Sequence, residues 1–280
     1  MSEAPTVTRD DLVKGFEALG IDGGVEVHSS LSAFGYVPGG AETVADAMLR
    51  SFPLVMVPTF TWGNGEQPPE GSRIERNGIR PDKMRRWAGR RVEAYDRQTS
   101  PSCVGAITEA VRKRPGTVRS IHPTHSFAAN GRDAERMVAA QTYENPMAPI
   151  EVMLEAGGWV LMLGTELTSC TPIHAAEHLA GRQFFIRWAL VADGTKPRIR
   201  TPGCSKGFKK FEPILAPIVR EVKIGNSRVR AYPGREFLRL AVEAIKRDPE
   251  ITMCSRDCVV CRDSLAGGPI EPADDGQALR

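Results

Sequence analysis

Read as apolar and polar positions, the chain alternates short apolar runs with helically spaced segments. Within residues 8–19 the apolar side chains Leu12, Val13, Phe16 and Leu19 recur at the spacing of one helix face, and Gly20 follows as a stop. Val25-Glu26-Val27-His28 reads as a short strand that feeds a polar loop, Ser29-Ser30-Leu31-Ser32. Gly39-Gly40 precede a helix over residues 41–51, and Leu54-Val55-Met56-Val57-Pro58 is a second strand continuing into Thr59-Phe60-Thr61-Trp62. This rhythm predicts parallel strands joined by helical crossovers. Residues 63–82 are polar, rich in Gly and Pro and aperiodic, as expected of a long surface loop. Thr99-Ser100-Pro101-Ser102 predicts the opening of a helix that runs to about residue 114, and helices are expected over 133–140 and 147–156.

A second apolar run, Gly158-Trp159-Val160-Leu161-Met162-Leu163-Gly164, reads as a buried strand, and the chemistry of the chain gathers just beyond it. There Thr171 followed by Pro172 predicts a helix start, a capping hydroxyl before a ring preset for the first turn. From that start His174 and Glu177 fall three residues apart on one face. The carboxyl end of a strand is where α/β sheets place ligands. In the first turn the helix dipole disfavours imidazolium while a carboxylate favours it, a balance that suits a base near neutral pH. The plainer alternative is a surface ion pair. The same residues also spell His174-x-x-Glu177-His178, the pattern of a helical zinc peptidase in which two histidines hold metal and the glutamate activates water.

After Gly181 the pattern changes. Strands are expected over 184–191, 198–201, 219–224 and 229–232, followed by an amphipathic helix over 235–246. This suggests an antiparallel C-terminal addition to the main sheet, with a soft internal boundary near 182. Residues 1–266 are expected to form one domain and 267–280 a polar, flexible tail.

Composition narrows the classes. In 280 residues, 41% apolar and 25% charged, there is material for a substantial core. A net charge of +3, concentrated only around Lys83 to Arg91, does not make the basic face of a nucleic-acid binder. No signal core and no run near the ~20 apolar residues of a membrane span is present, so a cytoplasmic protein without a membrane partner is expected. Six cysteines then read as thiols or metal ligands rather than disulfides. Cys254, Cys258 and Cys261 are spaced for a structural zinc, with Cys204 as the choice for fourth ligand, and unbound thiols as the alternative. A radical cluster is rejected, since no barrel follows so late a motif. Cys103 and Cys170 read as ordinary small residues. Ser29 and Ser30 sit in no Gly-x-Ser-x-Gly elbow, and Gly39-Gly40 make neither a dinucleotide nor a phosphate-loop fingerprint.

In this order the pieces resemble the aminoglycoside 3-N-acetyltransferase family. The resemblance rests on Val27-His28-Ser29-Ser30-Leu31-Ser32 with Gly39-Gly40, on Pro58-Thr59-Phe60-Thr61-Trp62, and on Gly105-Ala106-Ile107. It continues through His122-Pro123, Ser126-Phe127-Ala128-Ala129-Asn130-Gly131, and Leu163-Gly164 to Thr171-x-x-His174-x-x-Glu177, spanning roughly residues 9–265. It implies an α/β fold, a three-layer α/β/α arrangement with a mixed central sheet. It also implies acetyl-coenzyme A as co-substrate and direct transfer to a small-molecule amine, with no covalent acyl-enzyme. His174 would be the base, Glu177 its orienting carboxylate, and the Ser29 to Leu31 loop or Thr171 the oxyanion donors. The resemblance places the pantetheine arm near Ser29, Ser30, Leu31 and Ser32 and near Thr99 to Gly105. Arg85, Arg86, Arg90 and Arg91 are near enough in sequence to meet coenzyme phosphates, a solvated basic surface being the alternative, and Trp62, Asn64 and Glu166 are expected at the acceptor. It also makes the zinc site at Cys204, Cys254, Cys258 and Cys261 more attractive. One departure bears on the substrate: where antibiotic-modifying members carry a Gly-His-Asp-x-Asn-Thr-like segment, this chain has Gly164-Thr165-Glu166-Leu167-Thr168-Ser169-Cys170-Thr171. Only Glu166 is left there to meet a polycation. The alternatives are a zinc-dependent hydrolase and a non-catalytic relative that binds coenzyme A or an amine.

Overall fold

The computed structural model describes residues 5–69, 72, 74–79, 92–102 and 104–271. The Lys83 to Arg91 stretch, Cys103 and residues 272–280 of the expected tail lie outside the described residues.

The first helix, α1 (Arg9–Ala18), opens with a reciprocal capping box: the Thr8 hydroxyl accepts from the Asp11 N–H, and the Asp11 carboxylate accepts from the Thr8 N–H. There follow β1 (Val25–Ser29), α2 (Gly40–Ser51), β2 (Leu54–Pro58), β3 (Gly65–Glu66), α3 (Ala106–Arg112), β4 (Val118–Arg119) and β5 (Phe127–Gly131). Next come α4 (Ala134–Ala139), α5 (Ala148–Glu155), β6 (Trp159–Leu163), α6 (Pro172–Leu179), β7 (Phe185–Ala189) and β8 (Arg198–Thr201). The chain closes with α7 (Glu212–Leu215), β9 (Arg220–Ile224), β10 (Ser227–Pro233), α8 (Gly234–Arg247) and α9 (Val259–Leu265).

Seven strands make one mixed sheet in the order β4-β5-β2-β1-β6-β10-β9. The centre is parallel, β2 and β6 flanking β1, and the outer strands run antiparallel. Successive side chains of a strand point to opposite faces, so each central strand feeds two cores. Val25, Val27, Val55, Leu161 and Leu163 face the layer holding α1, α2 and α3. Met56, Val160, Met162 and Tyr232 face the layer of α4, α5, α6 and α8. In α8 the stripe Phe237, Leu238, Ala241, Ala244 and Ile245 is buried, each large side chain contributing roughly 1.5–3 kcal/mol. The result is three layers, α/β/α.

Several expectations change. Only β9 and β10 extend the main sheet; β7 and β8 pair instead with β3, in a separate three-stranded sheet. The segment expected as surface loop therefore contributes a strand, and it also contributes the buried side chains of Asn64 and Asn77. The helix expected from Thr99 starts only at Ala106, after an extended Gly105. Residues 96–99 form an Asp-anchored turn instead, with Asp96 Oδ1 accepting the N–H groups of Gln98 and Thr99 at 2.7 Å each. Thr171 does precede α6, but its backbone is already helical (φ −59°, ψ −32°) and its side chain caps nothing. No described helix is long and apolar enough to cross a membrane.

Candidate active site

The carboxyl ends of the three parallel strands open on one side of the sheet, and a cavity of about 330 Å³ sits there. His28 and Ser29 from β1, Pro58 from β2, and Thr165, Thr168, Ser169 and Thr171 beyond β6 line it. Gly164 makes the turn out of β6 possible: its φ is +67°, and a Cβ there would lie 2.2 Å from that of Ala33. The chain then makes one 3₁₀ turn and enters α6, which delivers His174 into the same cavity.

His174 and Glu177 meet as their spacing predicts. Nδ1 of the ring lies 2.7 Å from Glu177 Oε2, and both side chains are more than nine-tenths buried. With a carboxylate at Nδ1, that nitrogen carries the hydrogen and Nε2 keeps a lone pair, the form a base needs. The Phe208 ring packs on the imidazole at 4.7 Å. The second oxygen of Glu177, Oε1, accepts from Arg182 at 2.8 Å.

His178 does not join this pair. Its Nδ1 lies 2.8 Å from Glu151 Oε1, and its ring stacks on Phe184 at 4.9 Å. The two histidines of the peptidase-like pattern thus engage different carboxylates, and Glu177 is held by His174 and Arg182. The zinc-hydrolase reading loses its geometry.

Two further histidines reach the cavity. His28 Nε2 accepts the Thr171 N–H at 3.2 Å and lies 2.9 Å from Glu26 Oε1, which is fully buried. That backbone N–H, expected as an oxyanion donor, is thereby occupied; the Ser30 N–H likewise goes to the Leu163 carbonyl at 2.9 Å. Hydroxyls that line the cavity, among them those of Ser29, Thr168, Ser169 and Thr171, are candidate donors for an oxyanion. His125 faces the cavity beside Phe60 (4.8 Å between centroids) and Trp62 (6.4 Å). Burial, reinforced by His122, His174 and Arg187, drives its pKa well below the ordinary histidine value, so it is neutral.

A second cavity, about 620 Å³, is lined by Ser29, Ser30, Leu31, Ser32, Tyr36, Gly40 and Gly105. Ser29 and Gly105 line both cavities, so the two spaces adjoin. Of the residues expected near the coenzyme, Ser29, Ser30, Leu31, Ser32 and Gly105 come together, and Thr99 does not. Among the acceptor residues only Trp62 lines the site. Asn64 is buried and spends its amide on the Glu93 carbonyl, while Glu166 is exposed and pairs with Lys209 at 3.5 Å. The arginines expected at the coenzyme phosphates lie outside the described residues.

The four late cysteines do converge. Cys204, on the loop after β8, meets Cys254, Cys258 and Cys261 with all sulfurs within 4.8 Å of one another. Cys204 and Cys254 are 3.7 Å apart, and Cys254 and Cys261 3.8 Å. A tetrahedron with Zn–S bonds of about 2.3 Å has edges of ~3.8 Å, so the set fits a structural zinc. Burial pushes the Cys204 thiol up to about 11 and the Cys261 thiol higher still, and a bound cation reverses that preference. Cys170, fully buried in the core, is an ordinary packing residue.

Comparison with known proteins agrees with this geometry. A sequence model of the aminoglycoside 3-N-acetyltransferase family matches residues 27–246. Aminoglycoside N(3)-acetyltransferase VIII of Streptomyces fradiae is 36% identical over 242 residues, 82% of this chain and 83% of that enzyme. Among solved structures, the apoenzyme of aminoglycoside acetyltransferase AAC(3)-IVa superposes with a TM-score of 0.76 at 20% identity, covering 95% of this chain and all of that one. AAC-IIIb in a binary complex with CoASH gives 0.69 at 23% identity, over 87% and 97% of the two chains.

Proposed function

This chain belongs to the aminoglycoside 3-N-acetyltransferase family, and from that premise we propose that His174 and Glu177 carry out its acetyl transfer. It is an acetyl-CoA-dependent N-acetyltransferase acting on an amine of an aminoglycoside or related small molecule. The observation that supports the residue assignment best is the buried His174–Glu177 pair, with His174 lining the cavity that adjoins the second one through Ser29 and Gly105.

In this reading the pantetheine arm lies along Ser29 to Ser32 and Gly105, and its thioester reaches the place where the two cavities adjoin. The acceptor enters from the side of Trp62 and Phe60. His174 Nε2 takes one proton from the amine as its nitrogen bonds to the thioester carbon, and Glu177 stabilises the imidazolium that forms. Cavity hydroxyls donate to the developing oxyanion. When the tetrahedral intermediate collapses, the C–S bond breaks, the thiolate of coenzyme A takes the proton from His174, and the amide leaves. Holding both reactants at one place supplies proximity, so the enzyme needs no covalent intermediate.

The four cysteines would hold zinc as a structural ion. With three ligands from the carboxyl-terminal segment and Cys204 from the loop that includes Pro202 and Gly203, it would pin one wall of the cavity. The described fold supports one domain spanning 1–266, and a cytoplasmic site of action accords with the described cysteines remaining unpaired. Thiol release from acetyl-CoA across a panel of aminoglycosides and simple amines tests the function. His174→Ala is expected to abolish it while leaving coenzyme binding nearly intact; full turnover by that variant removes the base assignment. Metal analysis of purified protein is expected to find one zinc per chain, lost in Cys204→Ser.

A further inference from the structure

Helix α6 ends in a way that bears on its own base. Gly181 adopts a left-handed backbone (φ +97°), its N–H bonds to the His178 carbonyl at 2.9 Å, and the Arg182 N–H bonds back to the Glu177 carbonyl at 3.0 Å. These are the two bonds of a Schellman cap, which folds the residue after the glycine against the helix turn that precedes it. The arrangement sets the backbone of Arg182 beside Glu177, and the side chain completes the loop. Its Nη1 donates to Glu177 Oε1 at 2.8 Å while Oε2 serves His174 at 2.7 Å. Nη1 also donates to the Thr252 hydroxyl, and the other end of the guanidinium, Nη2, is fixed on the Pro249 carbonyl. Arg182 does not line the cavity, and its side chain is almost as buried as Glu177.

A glutamate has three side-chain torsions, and one hydrogen bond to an imidazole leaves its second oxygen able to swing the group. A planar guanidinium anchored at both ends removes that freedom. We propose that Arg182 is a positioning residue for acetyl transfer: it locks the Glu177 carboxylate, which in turn holds the His174 ring with Nε2 toward the cavity. Its effect passes through Glu177 and reaches the chemical step, leaving coenzyme binding untouched. The inference rests on His174 and Glu177 being the catalytic pair.

The test is a double-mutant cycle on kcat, followed by thiol release with saturating acetyl-CoA. Arg182→Met is expected to lower kcat about 10–100-fold, the usual effect of removing a partner that orients a reacting group, with KM for acetyl-CoA within about 2-fold. In a Glu177→Gln background the same change is expected to add less than about 2-fold, because the group it acts through is already neutral. Full additivity of the two losses overturns the proposal, as does unchanged kcat in Arg182→Met. Free guanidinium ion is expected to restore part of the kcat of Arg182→Ala, a rescue that a merely structural anchor would not give. If Arg182→Met folds poorly, Arg182→Gln takes its place in the cycle, with the same two outcomes decisive. His174→Ala separates the failures: turnover there sinks the base assignment, whereas a dead His174→Ala beside a wild-type Arg182→Met sinks only this inference.

Discussion

His174 and His125 line the same cavity and are both almost fully buried, yet their surroundings assign them opposite work. His174 has a carboxylate at Nδ1, so a proton arriving at Nε2 meets compensating charge at once. His125 has only the Thr124 hydroxyl at its Nδ1, 2.9 Å away, and three positive or potentially positive neighbours. A histidine in a closed pocket can take a proton only if something negative shares the pocket with it. In the proposed mechanism one ring serves as the base, and the other is a polar aromatic surface set with Phe60 and Trp62 on the acceptor's side.

The largest expected effect breaks the comparison outright. His174→Asn should lower kcat by about 10²–10⁴, the span of general base catalysis, and His125→Asn by less than about 10-fold, chiefly through KM for the amine. Steady-state kinetics of both variants check it. Equal losses in kcat would mean that the two rings share the proton.

Next is the dependence of stability on pH. Burial pushes His122 down to about 3 and His125 well below its ordinary value, so both are neutral when folded and charge when unfolded. The unfolded state therefore binds more protons below about pH 6.5, and stability falls as pH drops from there toward 3, by up to about 1.4 kcal/mol per pH unit per histidine. Above pH 7 these two groups contribute no slope. Urea unfolding at pH 7.5, 6 and 5 measures it, and His122→Gln should remove close to one proton of the slope if the fold is kept. A flat profile in the parent would place the charged form of these rings inside the folded molecule.

The smallest effect concerns Glu166. Exposed and paired with Lys209, it should change KM for any aminoglycoside by no more than about 2-fold when replaced by Gln. A larger increase would bring its carboxylate into the acceptor site.

Much of this was legible in the chain. The apolar runs of β2 and β6 announce strands buried on both faces, and the spacing of Leu12, Phe16 and Leu19 marks α1. His174 with Glu177 is a local pair, readable because i and i+3 share a helix face. Thr99-Ser100-Pro101-Ser102 misleads because a Ser-Pro pair suits a turn as well as a helix opening, and Asp96 settles it as a turn. Asn64 and Glu166 are close to the site in sequence, but their side chains are turned to Glu93 and Lys209. His125 and the separation of β7 and β8 from the main sheet depend on contacts between distant segments, which no local period records. Arg182 did leave a signal: a glycine just past a helix, followed by a cation, with a glutamate at the third position from the helix end.

The two margins of the large sheet have a consequence for how copies of this chain meet. β4, at one margin, offers only two residues, and β9, at the other, turns Arg220, Glu221 and Lys223 to solvent. Arg220 also folds over the Trp159 ring at 4.4 Å and donates to the carbonyls of Leu19 and Gly20, so it stands as a fixed post beside the strand. A stub and a charged rail are poor templates for a further strand. The large sheet thus carries, at each margin, its own guard against being extended by a second molecule.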